Sequence, residues 1–313
     1  LKALGESAGD AGGFLVPEEF RPDLMMIPLA QAVIRPRAFV IPMGSSTTRI
    51  PTIKDTSHAS NVFGGVSASW NAEAADVSET GNDPSFGQAV LEAKKLTGYT
   101  YASNELLQDS PIAVDTVVTR LFGQALAYFE DDAFFSGTGA GQPLGILNSP
   151  ANLSVAKETG QSAATILKEN IDKMYSRMLP SSVDNAVWVA HPDTFPQLAS
   201  MSQTVGTGGG PVWLMSMVGG PPSSIYGRPL IFSDKCETLG TAGDIYFVDL
   251  SYYLIGDRQA VTMSASPHVR FTTQETVMLF TERLDGRPWL DSALTPRNGS
   301  NTISPIGSLA TRA

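Results

Sequence analysis

The sequence predicts an α+β fold, and three observations carry that prediction. One long amphipathic helix lies a third of the way along the chain, short β-type runs flank it, and a strongly apolar strand comes near the C-terminus. At 313 residues the chain has room for about two domains or one elaborated one. Its 42% hydrophobic content is enough for a substantial core. Charged residues reach only 17%, against about a quarter in ordinary domains, as expected if other subunits cover part of the surface.

The chain starts at Leu1, so it is either trimmed or cut from a longer precursor. Its opening, LKALGESAGDAGG, has neither the basic nor the apolar region of a signal peptide and reads as a flexible arm. In the following FLVPEEFRPDLMMIPLAQAVI, Pro17 suits a helix start while Pro22 and Pro28 interrupt it. An apolar segment broken in this way is better laid along another surface than buried in its own core. Two short β-type runs follow, at 38–43 and 47–53.

Residues 54–90 depart from globular composition. Their large apolar residues are Val62, Phe63, Val66, Trp70, Val77, Phe86 and Val90. So few cannot offset backbone ordering at roughly 1–2 kcal/mol per residue. The segment is either a disordered loop or a long hairpin ordered by a partner. Trp70, a large aromatic with little core around it, fits an interface anchor.

The long helix is expected over 111–135, with Ser110 as N-cap and Pro111 at the first helical position. Val114, Val117, Val118, Leu121, Phe122, Ala125, Phe129 and Ala133 recur at helical spacing. At 1.5 Å per residue it spans about 37 Å. Glu130, Asp131 and Asp132 crowd its C-terminal part, where the helix dipole disfavours anions. That placement calls for a basic partner elsewhere; a solvated acidic face is the plainer alternative. Gly137–Gly141 ends the helix.

Beyond it come a helix at 164–178 and a buried strand at 185–190. Strands are expected at 225–232, 245–250, 252–255 and 261–264. The last strong element, 274–284, has an apolar VMLF centre, as in a strand covered on both faces. Residues 150–265 thus read as one compact mixed unit inserted between the long helix and that last strand.

Little in the chain suggests chemistry. The glycine run at 137–141 follows a helix and continues Gln142-Pro143, which is wrong for a phosphate loop. His58, His191 and His268 are scattered, and no H-E-x-x-H occurs. A lone Cys236 excludes an internal disulfide and a cysteine zinc site, and fits a structural thiol better than a nucleophile. Trp70, Trp188, Trp213 and Trp289 are too dispersed for a single-strand stacking platform. With 31 acidic against 21 basic residues, the net charge of -10 opposes counterion-release binding to DNA. No run of 18 apolar residues is present. The reading is therefore not an enzyme, with no cofactor, no metal and no membrane partner.

In this order, GGFLVPEEF, SASWNAEAADV, SNELLQDSPIAVDTVVTRLFGQALAYFEDDAFFSGTGAGQPLGIL, WVAHPDTFPQL, SIYGRPLIFSD, GDIYFVDLSYYLIGDR and FTERLDGRP run through nearly the whole chain. Together they resemble the major capsid proteins of tailed bacteriophages, the HK97-like family. The resemblance implies an N-terminal arm over 1–36 that reaches across neighbours and an E-loop hairpin over 37–98 lying on an adjacent subunit. It implies a peripheral P-domain with the spine helix over 99–149, an axial A-domain over 150–265, and a P-domain long strand with the C-terminal segment over 266–313. The function implied is structural: pentamers and hexamers of an icosahedral head around double-stranded DNA, without sequence-specific contact. A portal, a scaffold or maturation protease and decoration proteins are the further partners implied. The virion is the expected location, after assembly in the host cytoplasm, and Leu1 fits a mature start left by a protease.

Candidate intersubunit contacts are Phe14, Trp70, Glu73, Arg120, Glu130, Asp131, Asp132, Arg283 and Arg287. Some relatives weld subunits through a lysine–asparagine isopeptide bond assisted by a glutamate. The matching positions here fall near Val77, Gln274 and Thr281, and no lysine lies between Lys54 and Lys94. The resemblance therefore implies a shell without covalent crosslinks. The alternative within the same fold is an encapsulin-type nanocompartment that encloses cargo enzymes.

Overall fold

The computed structural model describes residues 29, 32–73, 83–109, 114–205, 208–211 and 224–312. Phe14, Val77, the Ser110-Pro111 helix start and Trp213 lie outside the described residues.

In chain order, β1 (Phe39–Pro42), β2 (Thr47–Ile53), β3 (Phe86–Glu92) and β4 (Lys94–Ser103) precede a short α1 (Asn104–Asp109) and the long α2 (Val114–Ser136). Next come β5 (Leu153–Val155), α3 (Lys168–Ser176), β6 (Val187–Ala190), α4 (Phe195–Ala199), β7 (Ser202–Val205) and β8 (Gly208–Pro211). The chain closes with β9 (Ser224–Ile225), β10 (Arg228–Phe232), β11 (Ile245–Val248), β12 (Tyr253–Arg270), β13 (Glu275–Pro288) and β14 (Ile306–Leu309).

Two sheets organise these elements. A four-stranded sheet runs β1-β12-β13-β4, and a six-stranded sheet runs β5-β14-β11-β6-β10-β9. Strands β2 and β3 pair only with each other, as an antiparallel hairpin from Thr47↔Glu92 to Ile53↔Phe86.

Helix α2 lies on one face of the four-stranded sheet because Val118, Phe122 and Leu126 meet the inward residues of β13 and β4, whereas Leu121 and Phe129 of the expected stripe are exposed. Leu126, Met278, Phe280 and Ala102 form the buried centre, with Val118, Phe122 and Leu96 against them. The Phe122 ring stacks on Phe280 at 4.5 Å. Directly beneath it is Gly98, where a Cβ would come within 2.8 Å of the Phe122 ring. The absence of a side chain at Gly98 thus sets how closely helix and sheet approach.

The six-stranded sheet is buried on both faces. Alternate residues of β6 and β11 serve two cores: Trp188, Ala190, Ile245 and Phe247 face α3, while Val187, Val189, Tyr246 and Val248 face the end of α2. Trp188 stacks on Phe247 at 4.1 Å, and its indole N–H donates to the Ile225 carbonyl. This satisfies the polar atom that such deep burial otherwise strands.

Three expectations need correction. The runs at 252–255 and 261–264 are one strand, β12, with register shifts between Asp257 and Thr262. Its middle is polar and exposed, so the sequence pattern breaks where the backbone does not. The VMLF strand is central in its sheet but covered on one face only: Met278 and Phe280 are buried, whereas Leu279 is exposed. The unit at 150–265 does not close on itself, because β14 returns from the C-terminal segment to sit between β5 and β11 while β12 leaves for the other sheet. Short fully buried strands such as β14 carry no periodic signal to announce them.

Candidate assembly surfaces

Half of the buried charged side chains among the described residues, Glu130, Asp131, Lys235 and Glu282, gather at the acidic end of α2. The Asp131 carboxylate accepts from the backbone N–H of Val33 and of Ile34, both at 3.0 Å, and from Lys235 Nζ at 2.9 Å. Both Asp131 and Lys235 are buried, and the Tyr128 ring stands 4.8 Å from the ammonium. At the neighbouring position, Arg35 donates through Nε to Glu130 at 2.6 Å and through its two terminal nitrogens to Asp257. Burial raises the Glu130 carboxyl to about 7, with Arg35 opposing and Glu282 and Asp257 adding to the rise. Glu282, also buried, is pushed up chiefly by the same desolvation, and its Oε2 has no hydrogen-bond partner among the described residues. Three carboxylates thus share one guanidinium, and a proton at Glu130 or Glu282 relieves the excess.

The function of this cluster is mechanical. It fixes the root of the N-terminal segment, residues 33–35, to the C-terminal end of α2. The acidic trio does have basic partners, and they lie in the same chain.

Two surfaces, by contrast, are left open. The hairpin and its loop leave Phe63, Trp70 and Phe86 exposed, Trp70 completely so, although Ala89 and Leu91 of β3 pack against Met43 and Leu254. The face of the four-stranded sheet opposite α2 is also exposed among the described residues. Cross-strand rows on it pair Tyr99 with Leu279, Thr97 with Thr281 and Lys95 with Arg283. Tyr101 lies on the same face, with the Arg270 guanidinium 4.0 Å above its ring. This face is therefore aromatic and basic. The 54–92 stretch is acidic: Asp55, Glu73, Asp76, Glu79, Asp83 and Glu92 against Lys54.

A third surface is a groove of about 870 Å³ between the hairpin base, β1 and the chain that follows β13. Phe39, Ile53, Tyr252, Trp289, Leu294 and Ile303 give it apolar walls. Tyr252 and Trp289 are stacked at 5.3 Å. Asp55 and His58, joined at 2.9 Å, form part of its lining.

Residues 12–298 match the model of the phage capsid family. The chain belongs to the phage capsid family. Its fold is similar to the capsid of a native GTA particle, at 19% identity and a TM-score of 0.78, covering 99% of this chain and 100% of that one. It is also similar to a structure from Microbacterium phage Oxtober96, at 14% identity and a TM-score of 0.68, over 97% and 98% of the two chains. A further likeness is to the mature capsid of bacteriophage PhiM1, at 11% identity and 0.59, over 96% and 98%. Among curated proteins none matches in sequence. The protein is thus a structural capsid protein with an α+β fold, a component of the virion. The encapsulin alternative is not favoured.

The candidate contacts of this capsid protein fall into distinct groups. Trp70, Glu73 and Arg120 are exposed, the first two on the hairpin and Arg120 on α2. Asp132 and Arg283 are half-buried, Arg283 on the open sheet face. Glu130 and Asp131 are not surface groups; they are buried and consumed by Arg35 and Lys235, so they are withdrawn as intersubunit contacts. Arg287 reaches the Val90 carbonyl at 3.4 Å and Asp291 at 4.0 Å inside the subunit. The sequence reading missed Arg35, Lys235, Asp257 and Glu282, although the anionic helix end signalled that cations had to come from somewhere.

The groups considered for chemistry are occupied structurally. His58 binds Asp55, and His191 Nδ1 accepts from the Asp193 backbone at a helical turn. Burial pushes the Cys236 thiol well up, against thiolate chemistry. Among the described residues no cluster of three or more His, Cys, Asp or Glu is arranged to hold a metal, and no helix is long and apolar enough to cross a membrane.

Proposed function

We propose that copies of this chain close an icosahedral phage head, as pentamers and hexamers assembled in the host cytoplasm, around double-stranded DNA. One observation carries this reading. The hairpin exposes Trp70, Phe63 and Phe86 at once, apolar area that an isolated subunit leaves in water. The open sheet face supplies a complementary seat: aromatic, basic through Lys95 and Arg283, and uncovered within the subunit. In this reading the hairpin of one copy lies on the open face of the next. Glu73, Arg120, Asp132 and Arg283 then contribute intersubunit ion pairs worth about 0–1 kcal/mol each. Apolar contact and the interlocking of many copies carry the cohesion, through effective concentration rather than any single strong site.

The six-stranded sheet is then the axial domain, α2 with the four-stranded sheet the peripheral domain, and residues 1–36 an arm with Phe14 among its contacts. A portal, a scaffold or maturation protease and decoration proteins complete the partners. Net charge supports a container that encloses DNA without gripping it. Cohesion is non-covalent, because no lysine lies between Lys54 and Lys94 to attack Gln274.

Electron microscopy of the purified protein, produced alone and with any precursor segment, should show hollow particles or capsomers. Boiled in detergent, these should run as one band near the monomer mass. Strictly monomeric protein in both forms counts against the shell reading, and a ladder that survives reducing agent counts against non-covalent cohesion.

A further inference from the structure

Of all the asparagines in the chain, Asn298 alone is followed by glycine. The pair sits at the tip of a loop whose flanks are held. Leu294 and Ile303 exchange backbone hydrogen bonds at 2.8 Å, Thr295 donates to the Thr56 carbonyl, and Arg177 donates to Thr302. Residues 297–300, between those anchors, are exposed. Among the described residues neither the Asn298 side chain nor the Gly299 N–H has a hydrogen-bond partner. Gly299 takes a φ of 99°, which glycine adopts without steric cost. It has no side chain to shield its nitrogen, and nothing stands within 4 Å of where a Cβ would be. An amide carbon and a backbone nitrogen are therefore left side by side, both unbonded and both open to water.

Comparable pairs elsewhere are occupied. The Asn148 amide donates to the Ser136 and Gly137 carbonyls at 2.8 and 3.1 Å, and the N–H of the following Ser149 is spent on the Ile146 carbonyl. Asn170 is buried in α3, where its Oδ1 accepts from Gln161 and from the Leu167 N–H. Asp285-Gly286 is the acidic counterpart of the same pair, but it is buried in β13. Its carboxylate accepts from Lys94 Nζ, from the Glu92 N–H and from the Gly286 N–H itself. The glycine nitrogen there is already bound.

We propose that Asn298 is a site of spontaneous covalent modification, deamidated through a cyclic imide closed by the Gly299 backbone nitrogen. A bond forms between that nitrogen and Asn298 Cγ, and the Cγ–Nδ2 bond breaks. The side-chain nitrogen leaves as ammonia, its third hydrogen replacing the proton that the Gly299 nitrogen gives up to water. Water then opens the ring. Breaking the bond from nitrogen to the side-chain carbonyl yields aspartate, and breaking the bond to the main-chain carbonyl yields isoaspartate. Water is the only co-reactant, and nothing is oxidised or reduced. Adjacency in the chain supplies the proximity that an intermolecular attack lacks. Each event adds one negative charge to a chain already at -10, beside Arg297, whose Nη1 donates to the Ala59 carbonyl at 2.6 Å. The reaction needs only the free subunit, so the shell reading above is not at stake.

The test follows the folded full chain over time in neutral and mildly alkaline buffer. Trypsin releases residues 298–312 as one peptide, which carries Asn298 and Asn301, and fragmentation in the mass spectrometer assigns the NH-for-O mass gain to one of them. Digestion in heavy-oxygen water marks any reaction that happens during work-up. Asn298 should convert before every other asparagine, with isoaspartate among the products. Conversion should run about tenfold faster at pH 8 than at pH 7, because the attacking nitrogen reacts in its deprotonated form. Isoelectric focusing should show a growing acidic species that Asn298→Gln removes. An intact Asn298 in the folded chain, while a synthetic peptide of residues 290–312 reacts, means that the fold protects the site and overturns the proposal. Earlier conversion at Asn148 or Asn301 overturns the choice of site. Aspartate alone, formed at a rate independent of pH, means direct hydrolysis and overturns the ring route.

Discussion

Replacing Asp131 by Asn tests the clamp at the root of the arm. The substitution keeps the shape and removes the charge. Lys235, with no exposed side-chain surface, then loses its anion 2.9 Å away. The amide can accept from only one of the two backbone N–H groups, of Val33 and Ile34, that the carboxylate holds. Breaking a buried pair by removing one partner costs about 3–5 kcal/mol, a large part of a typical total of roughly 5–15 kcal/mol. Pairing Asp131→Asn with Lys235→Met removes the stranded ammonium. What remains is one unsatisfied backbone donor, worth about 1–3 kcal/mol. The double variant should therefore be more stable than the single one by about 2 kcal/mol. Urea denaturation of the free subunit measures both, followed through the fluorescence of Trp188, which is buried against Phe247. A single variant costing under about 1 kcal/mol, or a double variant less stable than the single, refutes the clamp; such coupling is what a double-mutant cycle isolates.

Three other outcomes are expected. Gly98→Ala should destabilise the subunit by about 1–3 kcal/mol through overpacking, since its Cβ meets the Phe122 ring at 2.8 Å; an unchanged urea midpoint means that helix and sheet do not pack this closely. Glu130 has a folded pKa of about 7, above its unfolded value, so its contribution is full below the unfolded value near 4.5 and fades as pH rises through 7. Parent subunits should accordingly lose stability between pH 5 and pH 8, and Glu130→Gln should flatten that slope; equal slopes remove Glu130 as its source. Trp70→Ala should weaken assembly by light scattering while leaving the urea midpoint of the free subunit within about 0.5 kcal/mol, as for a surface site, because Trp70 is fully exposed; a large fall in the midpoint would place Trp70 in the subunit's own core.

The sequence by itself determined the elements whose signal is local. Helix α2 was legible from 3.6-residue spacing and ends at Ser136, as the following glycines require. For residues 54–90 the sparse apolar content left a disordered loop and a hairpin both open; the structure pairs β2 with β3, and Trp70 stands exposed, as its isolation in that stretch suggested. Strands β2, β6 and β11 followed from short apolar or alternating runs. The order of motifs placed the chain in its family.

What only the tertiary structure decided is long-range. The anions at the end of α2 announced a need for cations, but Arg35 lies 95 residues from Glu130 and Lys235 lies 104 from Asp131. No periodicity links residues so far apart, and so buried clamps were read as surface contacts. The one-sided cover of β13, the return of β14 and the groove at β1 share that cause. Each is created where separate segments meet. Burial and pairing there are set by the three-dimensional neighbour rather than by the residue type, so a sequence pattern shows that a face is apolar and leaves open what covers it.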